Sequence, residues 1–287
     1  MHANHQSVKA LLVSVHYGSP QPTVELLRSL SRQPWRSALH VIVVGNKSAG
    51  GSCTALREAI SGLANFELHE LTVNAGYFGA AKEGLDRFVE RTAEMPDWVI
   101  VCNNDVLIED ETFFEKLFAC DPAMVGVLAP RIIIPSQATE QNPFMKMRPG
   151  GWRRFTMRLH SSAYPFAVAW DWLSRRKRAL RSRMPSWMSR AQSDGGRETI
   201  YAAHGAFLIF SRRFFEAGGR LDDQLFLYGE EIAVAETCRA LRLPVIFDPS
   251  LSVLHNEHQS VGKGMSRLMF GYHRKSVRHV LSKYLTS

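Results

Sequence analysis

The chain has 287 residues, of which 45% are hydrophobic and 22% charged, and its formal net charge is +8. This composition is that of a globular protein and excludes disorder over most of the chain. The charge is uneven, because residues 146–197 alone carry 13 basic and two acidic side chains while the rest of the chain sums to −3, which disfavours a uniformly basic protein that coats nucleic acid.

Hydrophobic residues never form a long stretch. The longest uninterrupted apolar runs have five residues, at 98–102, 166–170 and 206–210, whereas a membrane-spanning helix needs about 20. We therefore expect no transmembrane helix, and the polar residues 1–9 lack the apolar core of a signal peptide. The four cysteines show no CxxC spacing, so disulfides and structural zinc are not expected, and a reduced, cytoplasmic protein is.

Strand-like and helix-like patterns alternate over the first 135 residues. Short apolar runs predict strands at 10–15, 41–44, 66–71 and 97–102, and longer amphipathic stretches predict helices at 23–31, 53–63 and 79–91. This alternation predicts an α/β fold with a doubly wound, mostly parallel sheet flanked by helices. Because such sheets bind ligands at the carboxyl ends of their strands, polar residues directly after strands are the candidates for chemistry.

The alternation is interrupted between about residues 136 and 198. This segment contains four tryptophans, at 152, 170, 172 and 187, and a basic run at 175–178. Beyond it we predict a strand at 201–210, a helix at 230–241, a short strand at 245–247 and a basic amphipathic helix at 265–284. We expect one domain over 1–287, with 136–198 as an insertion or lid between 8–135 and 199–262, and a C-terminal helix within 263–287.

Two predicted strand ends offer oxygen and nitrogen ligands. Asp105 follows Asn103 and Asn104 directly after an apolar strand, and His255 follows another. A carboxylate and an imidazole at one edge of the sheet would suit Mg²⁺ or Mn²⁺. The alternatives are that residues 103–105 only form a turn and that His255 is an ordinary hydrogen-bonded histidine.

An acid pair, Glu230 and Glu231, opens the predicted helix at 230–241. Acids in a first helical turn are favoured by the helix dipole, which alone explains their position. The alternative is that residues 226–228 wall a pocket that desolvates one carboxylate and makes it a general base. Neighbouring helical residues point about 100° apart, so at most one of the two faces the reaction.

A glycine-rich turn at 74–84 precedes the helix at 79–91. Its glycines allow a close backbone approach, and the helix N-terminus could receive phosphate, but such a turn is a weak signal by itself. The sequence lacks the GK[ST] of a P-loop, the GxSxG of serine hydrolases and the HExxH of zincins.

Five motifs, in consistent order over residues 8–262, resemble those of the inverting family 2 glycosyltransferases of the GT-A fold, especially the bacterial rhamnosyltransferase-like branch. Residues 13–17 are similar to the opening strand, 74–84 to the glycine motif, 103–105 to the N-P-D or D-x-D motif, 205–231 to the long G-A…Y-x-E-D signature, and 249–260 to the closing P-x-x-x-V-x-H segment. Residues 44–50 depart from the family, because they lack the two acids that contact the nucleotide base.

The resemblance implies a Rossmann-like GT-A sheet that holds a nucleoside diphosphate sugar at its strand ends. Asp105 and His255 would lie around a divalent cation, Mg²⁺ or Mn²⁺, on the diphosphate. Glu231 would deprotonate the acceptor hydroxyl with Glu230 as a supporting carboxylate. Acceptor-side residues would be Gly205 and Tyr228. The implied nucleotide-sugar-binding residues are Tyr17, Asn46, Asn74, Gly76, Gly79, Lys82, Asn103, Asn104 and Asp105, of which Lys82 is equally explained as a solvated helix lysine.

The implied function is transfer of a sugar to a hydroxyl of a lipid-linked or polysaccharide acceptor in cell-surface glycan synthesis, with rhamnose from dTDP-rhamnose as the family-level guess. The Trp- and Arg-rich insertion favours docking at an anionic membrane surface, on the inner face of the cell membrane, unless it is only a solvated face. The alternative is a binding module without catalysis, either a nucleotide-sugar binder or a basic membrane or nucleic-acid binder. Nucleic acid is disfavoured, because the charge is confined to one segment.

Overall fold

The computed structural model describes residues 8–47, 52–137, 139–181, 196–256 and 266–286. Its strands are β1 (Ala10–His16), β2 (Leu39–Asn46), β3 (Phe66–Leu71), β4 (Trp98–Asn103), β5 (Val106–Leu107), β6 (Val127–Ile134), β7 (Thr139–Glu140), β8 (Glu198–Ile200), β9 (Phe207–Ser211) and β10 (Val245–His255). Its α-helices are α1 (Pro20–Ser31), α2 (Ser52–Ile60), α3 (Gly76–Thr92), α4 (Phe113–Phe118), α5 (Gly151–Ser162), α6 (Tyr164–Arg181), α7 (Arg212–Glu216), α8 (Glu230–Leu241) and α9 (Arg267–Lys283). Trp187, Ser260 and residues 48–50 of the loop after β2 lie outside the described residues.

One mixed sheet has the strand order β3-β2-β1-β4-β9-β6-β10-β5. Strands β1 to β4 are parallel to one another, and β6 is parallel to β10. Strand β9 lies between β4 and β6 and is antiparallel to both. The prediction of a mostly parallel sheet flanked by helices is confirmed, and β9 is its main reversed strand.

The elements predicted in the first half lie where the sequence placed them, and the later ones differ in extent. Strand β9 begins at residue 207 instead of 201, and β10 continues to His255 instead of ending at 247. The apolar pattern of β10 is broken at Asp248, where its pairing with β6 shifts register before resuming at Ser252. Because the strand continues past this irregularity, His255 is its last residue.

Hydrophobic cores cover both faces of the sheet. Leu26 of α1 and Phe113 of α4 belong to one core, and Phe88 of α3 and Phe214 of α7 belong to the other. Burying a side chain of this size stabilises a fold by about 1.5–3 kcal/mol. A third, smaller core joins α8 to α9 and anchors the C-terminal helix beside the start of α8.

The basic insertion contains two helices, α5 and α6, that pack on each other and on α9. Glu236 of α8 fixes the start of this segment, since its buried carboxylate accepts hydrogen bonds from Arg148 Nε (2.7 Å) and the Tyr201 hydroxyl (2.7 Å). These bonds hold the pKa of Glu236 below its usual range although burial opposes them. The insertion is therefore fastened to the helix that begins with Glu230 and Glu231.

Helix α9 also holds the loop that leads into α8. Asp222 Oδ2 accepts hydrogen bonds from His279 Nε2 (2.7 Å), the Tyr284 hydroxyl (2.7 Å) and Lys283 Nζ (3.0 Å). Burial alone would raise the pKa of Asp222, but these bonds outweigh it and lower the pKa to about 2. The loop is thereby fixed at its start, at Asp222, by the C-terminal helix.

Within the described ranges, no helix combines the length and the apolar character needed to cross a membrane.

Candidate active site

Asp105 and His255 lie side by side, although 150 residues separate them in sequence. Strand β5 pairs with the end of β10, so that Val106 is opposite His255. His255 Nε2 is 3.1 Å from Asp105 Oδ1, and His255 Nδ1 is 2.7 Å from Gln141 Oε1. Because an amide oxygen only accepts hydrogen bonds, Nδ1 donates to Gln141, and Nε2 is the ring nitrogen that faces the Asp105 carboxylate.

This arrangement has the chemistry of a cation site. With Nδ1 protonated, Nε2 and Asp105 Oδ1 are two acceptors that face each other, and a second proton or a cation between them is needed to make the approach favourable. Metal-binding histidines usually donate their other N–H to an oxygen, as His255 does to Gln141. No group of three or more His, Cys, Asp or Glu side chains suited to a metal occurs in the described part of the chain; among these residues, Asp105 and His255 are the two that meet here.

The acid pair lies against the backbone that precedes β9. Gly205 N–H donates a hydrogen bond to Glu231 Oε1 at 3.4 Å. A Cβ atom at Gly205 would be 3.0 Å from Glu230 Oε1 and 3.2 Å from Glu231 Oε1, so a side chain there would push the two carboxylates away by a few tenths of an ångström. Asn103 N–H donates to Ala206 O at 2.9 Å, which ties this backbone to the strand end that precedes Asp105.

Burial raises the pKa of both glutamates. The pKa of Glu230 is well above its usual range, because its carboxyl is buried and because Glu231 lies beside it. Burial raises the pKa of Glu231 as well, but hydrogen bonds from backbone N–H groups, including Gly205 and Gly229, counteract this. Both glutamates lie in the first turn of α8, so the helix dipole favours a charge on either one. Because Glu231 receives the backbone N–H bonds of Gly205 and Gly229, we infer that it carries the negative charge of the pair.

Two successive residues of the turn before α8 adopt the left-handed backbone conformation. Tyr228 has φ +71° and Gly229 has φ +91°. A positive φ is unusual for a bulky aromatic residue, and such outliers concentrate at functional sites. Tyr228 lines a cavity together with Glu231, so the turn presents an aromatic ring and a carboxylate to the same space.

The glycine motif contacts the same loop from the other half of the chain. Gly76 has φ +77°, and a Cβ atom there would be 2.4 Å from Phe226 O. Tyr77 N–H donates to Phe226 O (2.8 Å), and the Tyr77 hydroxyl donates to Gly205 O (2.9 Å). The start of α3 is thus joined to both segments that hold the acid pair.

Asn46 and Asn74 shape this glycine turn. Asn46 is buried; its amide donates to Gly76 O (3.0 Å) and accepts from Ala75 N–H (2.8 Å). Asn74 Oδ1 accepts from Gly76 N–H at 3.0 Å. In this structure the Asn46 side chain therefore positions the turn through backbone contacts.

The remaining sequence-predicted residues lie in three different places. Tyr17 follows β1 with 63% of its surface exposed, available to a planar ligand at the strand ends. Gly79 packs near Asp223 of the loop before α8. Lys82 forms a salt bridge with Asp86 at 2.7 Å and lines a separate cavity beside α7, so the structure does not bring it to the pair of Asp105 and His255.

A buried hydrogen-bond network supports Asn104. His16, the last residue of β1, is fully buried, with Nδ1 2.7 Å from Thr23 Oγ1 and Nε2 2.5 Å from Ser52 Oγ. Asn104 Nδ2 donates to the same Thr23 hydroxyl at 2.9 Å. Burial lowers the pKa of His16 to about 4, so the ring is neutral near pH 7 and its network joins the starts of α1 and α2 to the turn at Asn104.

Three of these residues were not singled out from the sequence. Gln141 orients His255, His16 orients Asn104, and the ring of His204 lies 6.4 Å from that of His255. Burial, and secondarily His255, lower the pKa of His204 to about 4. The sequence indicated two of these residues only by their position, because His16 ends a strand and His204 directly precedes Gly205.

Comparison with known proteins adds to this geometry. No family model matches the chain. N-acetylglucosaminyl-diphospho-decaprenol L-rhamnosyltransferase of Mycobacterium tuberculosis is 26% identical to the chain over 279 residues, which cover 92% of this chain and 81% of that protein.

Two solved structures share the fold. The mannosyltransferase PcManGT of Pyrobaculum calidifontis, in complex with GDP-Man and Mn²⁺, is 15% identical with a TM-score of 0.52, over 88% of this chain and 58% of that one. GalNAc-T7 with UDP, GalNAc and Mn²⁺ is 11% identical with a TM-score of 0.61, over 98% of this chain and 50% of that one. The chain thus spans little more than half the length of these solved proteins.

Together the fold and the mycobacterial relative define the class: the chain is a glycosyltransferase with the GT-A fold. The similarity to the mycobacterial enzyme confirms the resemblance to the rhamnosyltransferase-like branch of family 2 that the motifs predicted.

Substitution of His16 tests the network that supports Asn104. Between about pH 6.5 and 4 the unfolded chain binds a proton at His16 that the folded chain does not, so this residue makes the free energy of unfolding fall by about 1.4 kcal/mol per pH unit as the pH is lowered. We expect His16→Gln to be less stable than wild type at pH 7 and to have a slope shallower by about that amount. Urea denaturation at pH 6.5, 5.5 and 4.5 measures both, and identical slopes would contradict the buried neutral ring.

Proposed function

We propose that the protein is a metal-dependent inverting glycosyltransferase that moves a sugar from a nucleoside diphosphate donor to a hydroxyl of a lipid-linked acceptor. The observation that carries the proposal is the meeting of two groups at one edge of the sheet. Asp105 lies between β4 and β5, and His255 is the last residue of β10, the strand that pairs with β5. The acid pair lies on the backbone that is bonded to the end of β4 through Asn103 and Ala206. Donor and acceptor functions are thereby adjacent.

On the donor side, Asp105 and His255 would hold Mg²⁺ or Mn²⁺, and oxygens of the donor diphosphate would complete its coordination. Such a cation, when bound, stabilises the negative charge that develops on the leaving diphosphate. Gln141 keeps the Nε2 lone pair of His255 aimed at this position. Tyr17 and the backbone of residues 74–79 would face the nucleotide, at the strand ends where GT-A ligands are expected.

On the acceptor side, Glu231 would act as general base. Its carboxylate takes the proton of the acceptor hydroxyl while that oxygen bonds to the anomeric carbon, and the bond from this carbon to the diphosphate breaks on the opposite face. The nucleoside diphosphate leaves with the electron pair, and the anomeric configuration inverts. The raised pKa of Glu231 brings it toward the working pH, where a general base is most effective.

The mycobacterial relative supports a more specific substrate pair. Its name describes transfer of L-rhamnose to N-acetylglucosaminyl-diphospho-decaprenol. By analogy we propose rhamnose, from dTDP-rhamnose, as the donor sugar and a sugar on a polyprenyl diphosphate as the acceptor, in the synthesis of a cell-surface glycan.

Substitution of the proposed base tests the function. Gln keeps the size of the Glu231 side chain but cannot accept a proton, so we expect Glu231→Gln to lower kcat by at least about 100-fold. Donor affinity should stay within about twofold of wild type, because the substituted group lies on the acceptor side. Transfer to a soluble N-acetylglucosaminyl diphosphate that carries a short alkyl chain measures kcat, and titration calorimetry measures donor affinity.

Two further variants make this experiment decisive. Glu58→Gln, an exposed glutamate of α2, should behave as wild type. Glu230→Gln should lose less activity than Glu231→Gln, because Glu230 holds the proton of the pair. A normal rate for Glu231→Gln, or a larger loss for Glu230→Gln, would contradict the assignment. Donor binding by a wild-type protein that transfers to no acceptor would favour the catalytically silent alternative.

We further propose that the insertion helices dock on an anionic membrane, at its cytoplasmic face. Nine of the sixteen large hydrophobic side chains exposed in the described residues lie between 147 and 173. On α5 these include positions 152, 155 and 159, which share one helix face, and a patch of this kind indicates an interaction site. Arg153, Arg154 and Arg158 alternate with these positions along α5, and each basic residue near an anionic surface contributes about 1 kcal/mol. The apolar exposed side chains are Met147, Trp152, Phe155, Leu159, Phe166, Val168, Trp170, Trp172 and Leu173.

Vesicle sedimentation tests the membrane surface. We expect binding to vesicles that contain 30% phosphatidylglycerol, weaker binding to pure phosphatidylcholine, and at least a tenfold weaker partition for the double variant Trp152→Ser, Phe155→Ser. Met124→Ser is a matched control, since Met124 is exposed but lies outside the insertion. Equal binding by the double variant, or salt-sensitive binding to DNA without binding to vesicles, would contradict the proposal.

A further inference from the structure

A cavity of about 480 Å³ lies between α5, α6, α8 and α9. This volume is within the range of small-ligand pockets, roughly 300–1,000 Å³. The carboxylate-bearing Glu231 lines it, as do Tyr228 and Gly229 of the turn before α8. The two insertion helices supply much of the opposite wall, so residues of the insertion and the proposed base line the same open cavity.

Two neutral histidines supply hydrogen-bonding groups to this cavity. His160 of α5 and His273 of α9 both line it, with ring centroids 5.1 Å apart. Burial, followed by the neighbouring His273, lowers the pKa of His160 to about 4, and burial also lowers that of His273. Each ring is therefore uncharged near pH 7 and offers one N–H donor and one nitrogen acceptor.

One of these nitrogens has no hydrogen-bond partner within the described ranges. His273 Nδ1 is buried and unsatisfied, and a buried polar atom without a partner costs about 1–3 kcal/mol. His273 Nδ1 has almost no accessible surface, so a ligand supplies the missing hydrogen bond only when the side chains around this ring shift to admit it. A hydroxyl group both donates and accepts, so it can satisfy this nitrogen whichever tautomer His273 adopts.

Aromatic rings complete the lining. Trp170 of α6 stacks on His160, with ring centroids 5.3 Å apart and an interplanar angle of 24°, and Tyr228 lies edge-on to His273 at 5.8 Å. A sugar ring has a nonpolar C–H face and a rim of hydroxyls, which match an indole face and neutral imidazoles. Arg153 also lines the cavity, and the exposed Trp152 and Phe155 lie on the same helix.

We propose that this cavity binds the sugar ring of the acceptor, that His160, His273 and Trp170 select it, and that Arg153 contacts the adjoining diphosphate. The inference rests on the proposed function and specifies its acceptor site. The order along the surface matches a lipid-linked acceptor: Glu231 at the reactive hydroxyl, histidines at the ring, a guanidinium at the diphosphate and exposed aromatic residues at the lipid. The insertion is then the segment that recognises the acceptor, and its membrane contact and its pocket belong to one binding mode.

Kinetics with two acceptor analogues test the proposal in the full-length chain. One analogue is an octyl N-acetylglucosaminide, and the other carries a diphosphate between the sugar and the octyl group. We expect His273→Phe, which keeps a flat ring but removes both nitrogens, and Trp170→Ala to raise KM for both analogues at least tenfold. Arg153→Gln should raise KM at least tenfold for the diphosphate analogue alone. The donor KM and the slow transfer of the donor sugar to water should stay within about twofold of wild type in all three.

Controls and contrary outcomes separate this proposal from the proposed function. His69→Phe of β3, a histidine outside the cavity, should leave every parameter unchanged, and thermal melting verifies that each variant is folded. Wild-type acceptor KM in folded His273→Phe and Trp170→Ala would overturn the pocket while leaving the proposed transfer intact. Equal effects of Arg153→Gln on both analogues would overturn its contact with the diphosphate. No transfer by the wild-type protein to either analogue would contradict the proposed function and this inference with it.

Discussion

The reversed strand β9 is the constraint on which the site depends. It pairs with β4 on one side and β6 on the other, antiparallel to both. The first residues of β9 therefore lie at the edge of the sheet where the parallel strands have their carboxyl ends. At this edge Asn103 N–H donates a hydrogen bond to Ala206 O, which brings Gly205 next to the turn that carries Asp105. If β9 were parallel to its neighbours, Gly205 and the acid pair packed on it would lie at the opposite edge of the sheet. One strand direction thus makes the proposed donor-side and acceptor-side groups neighbours.

Glycines then fix the spacing between the two halves of the chain. At Gly76 the backbone approaches Phe226 so closely that any Cβ atom would overlap it, and at Gly205 the two carboxylates occupy the space of a side chain. Because Tyr77 bonds to both Phe226 and Gly205, the glycine motif and the loop before α8 form one connected unit. Helix α9 holds the same loop from outside through Asp222. A ligand that orders one half of the chain would therefore also affect the other half through these hydrogen bonds.

The sequence predicted the parts of this account that rest on periodicity and on strand-end position. It predicted that β1 to β4 alternate with α1 to α3. It also predicted that Asp105 and His255 lie at strand ends. The direction of β9 was not, because Phe207–Ser211 is buried on both faces and such a strand has the same pattern in either direction. Helices α5 and α6 were not predicted, because the tryptophans and the basic run of this segment were interpreted as an insertion rather than as helices. Gln141 and His273 are single polar residues whose partners come from distant elements, so only the folded chain reveals them.

The central claim is that Asp105 and His255 form the metal-dependent site for the donor diphosphate, and ligand-induced stabilisation measures it most directly. The experiment records the melting temperature of wild type and Asp105→Asn with a panel of nucleoside diphosphates, each with and without Mn²⁺. A ligand at 100 times its Kd stabilises a protein by about 2.7 kcal/mol, so a clear rise is expected for one nucleoside diphosphate, only with Mn²⁺ and only in wild type. An equal rise without Mn²⁺, or in Asp105→Asn, would contradict the account.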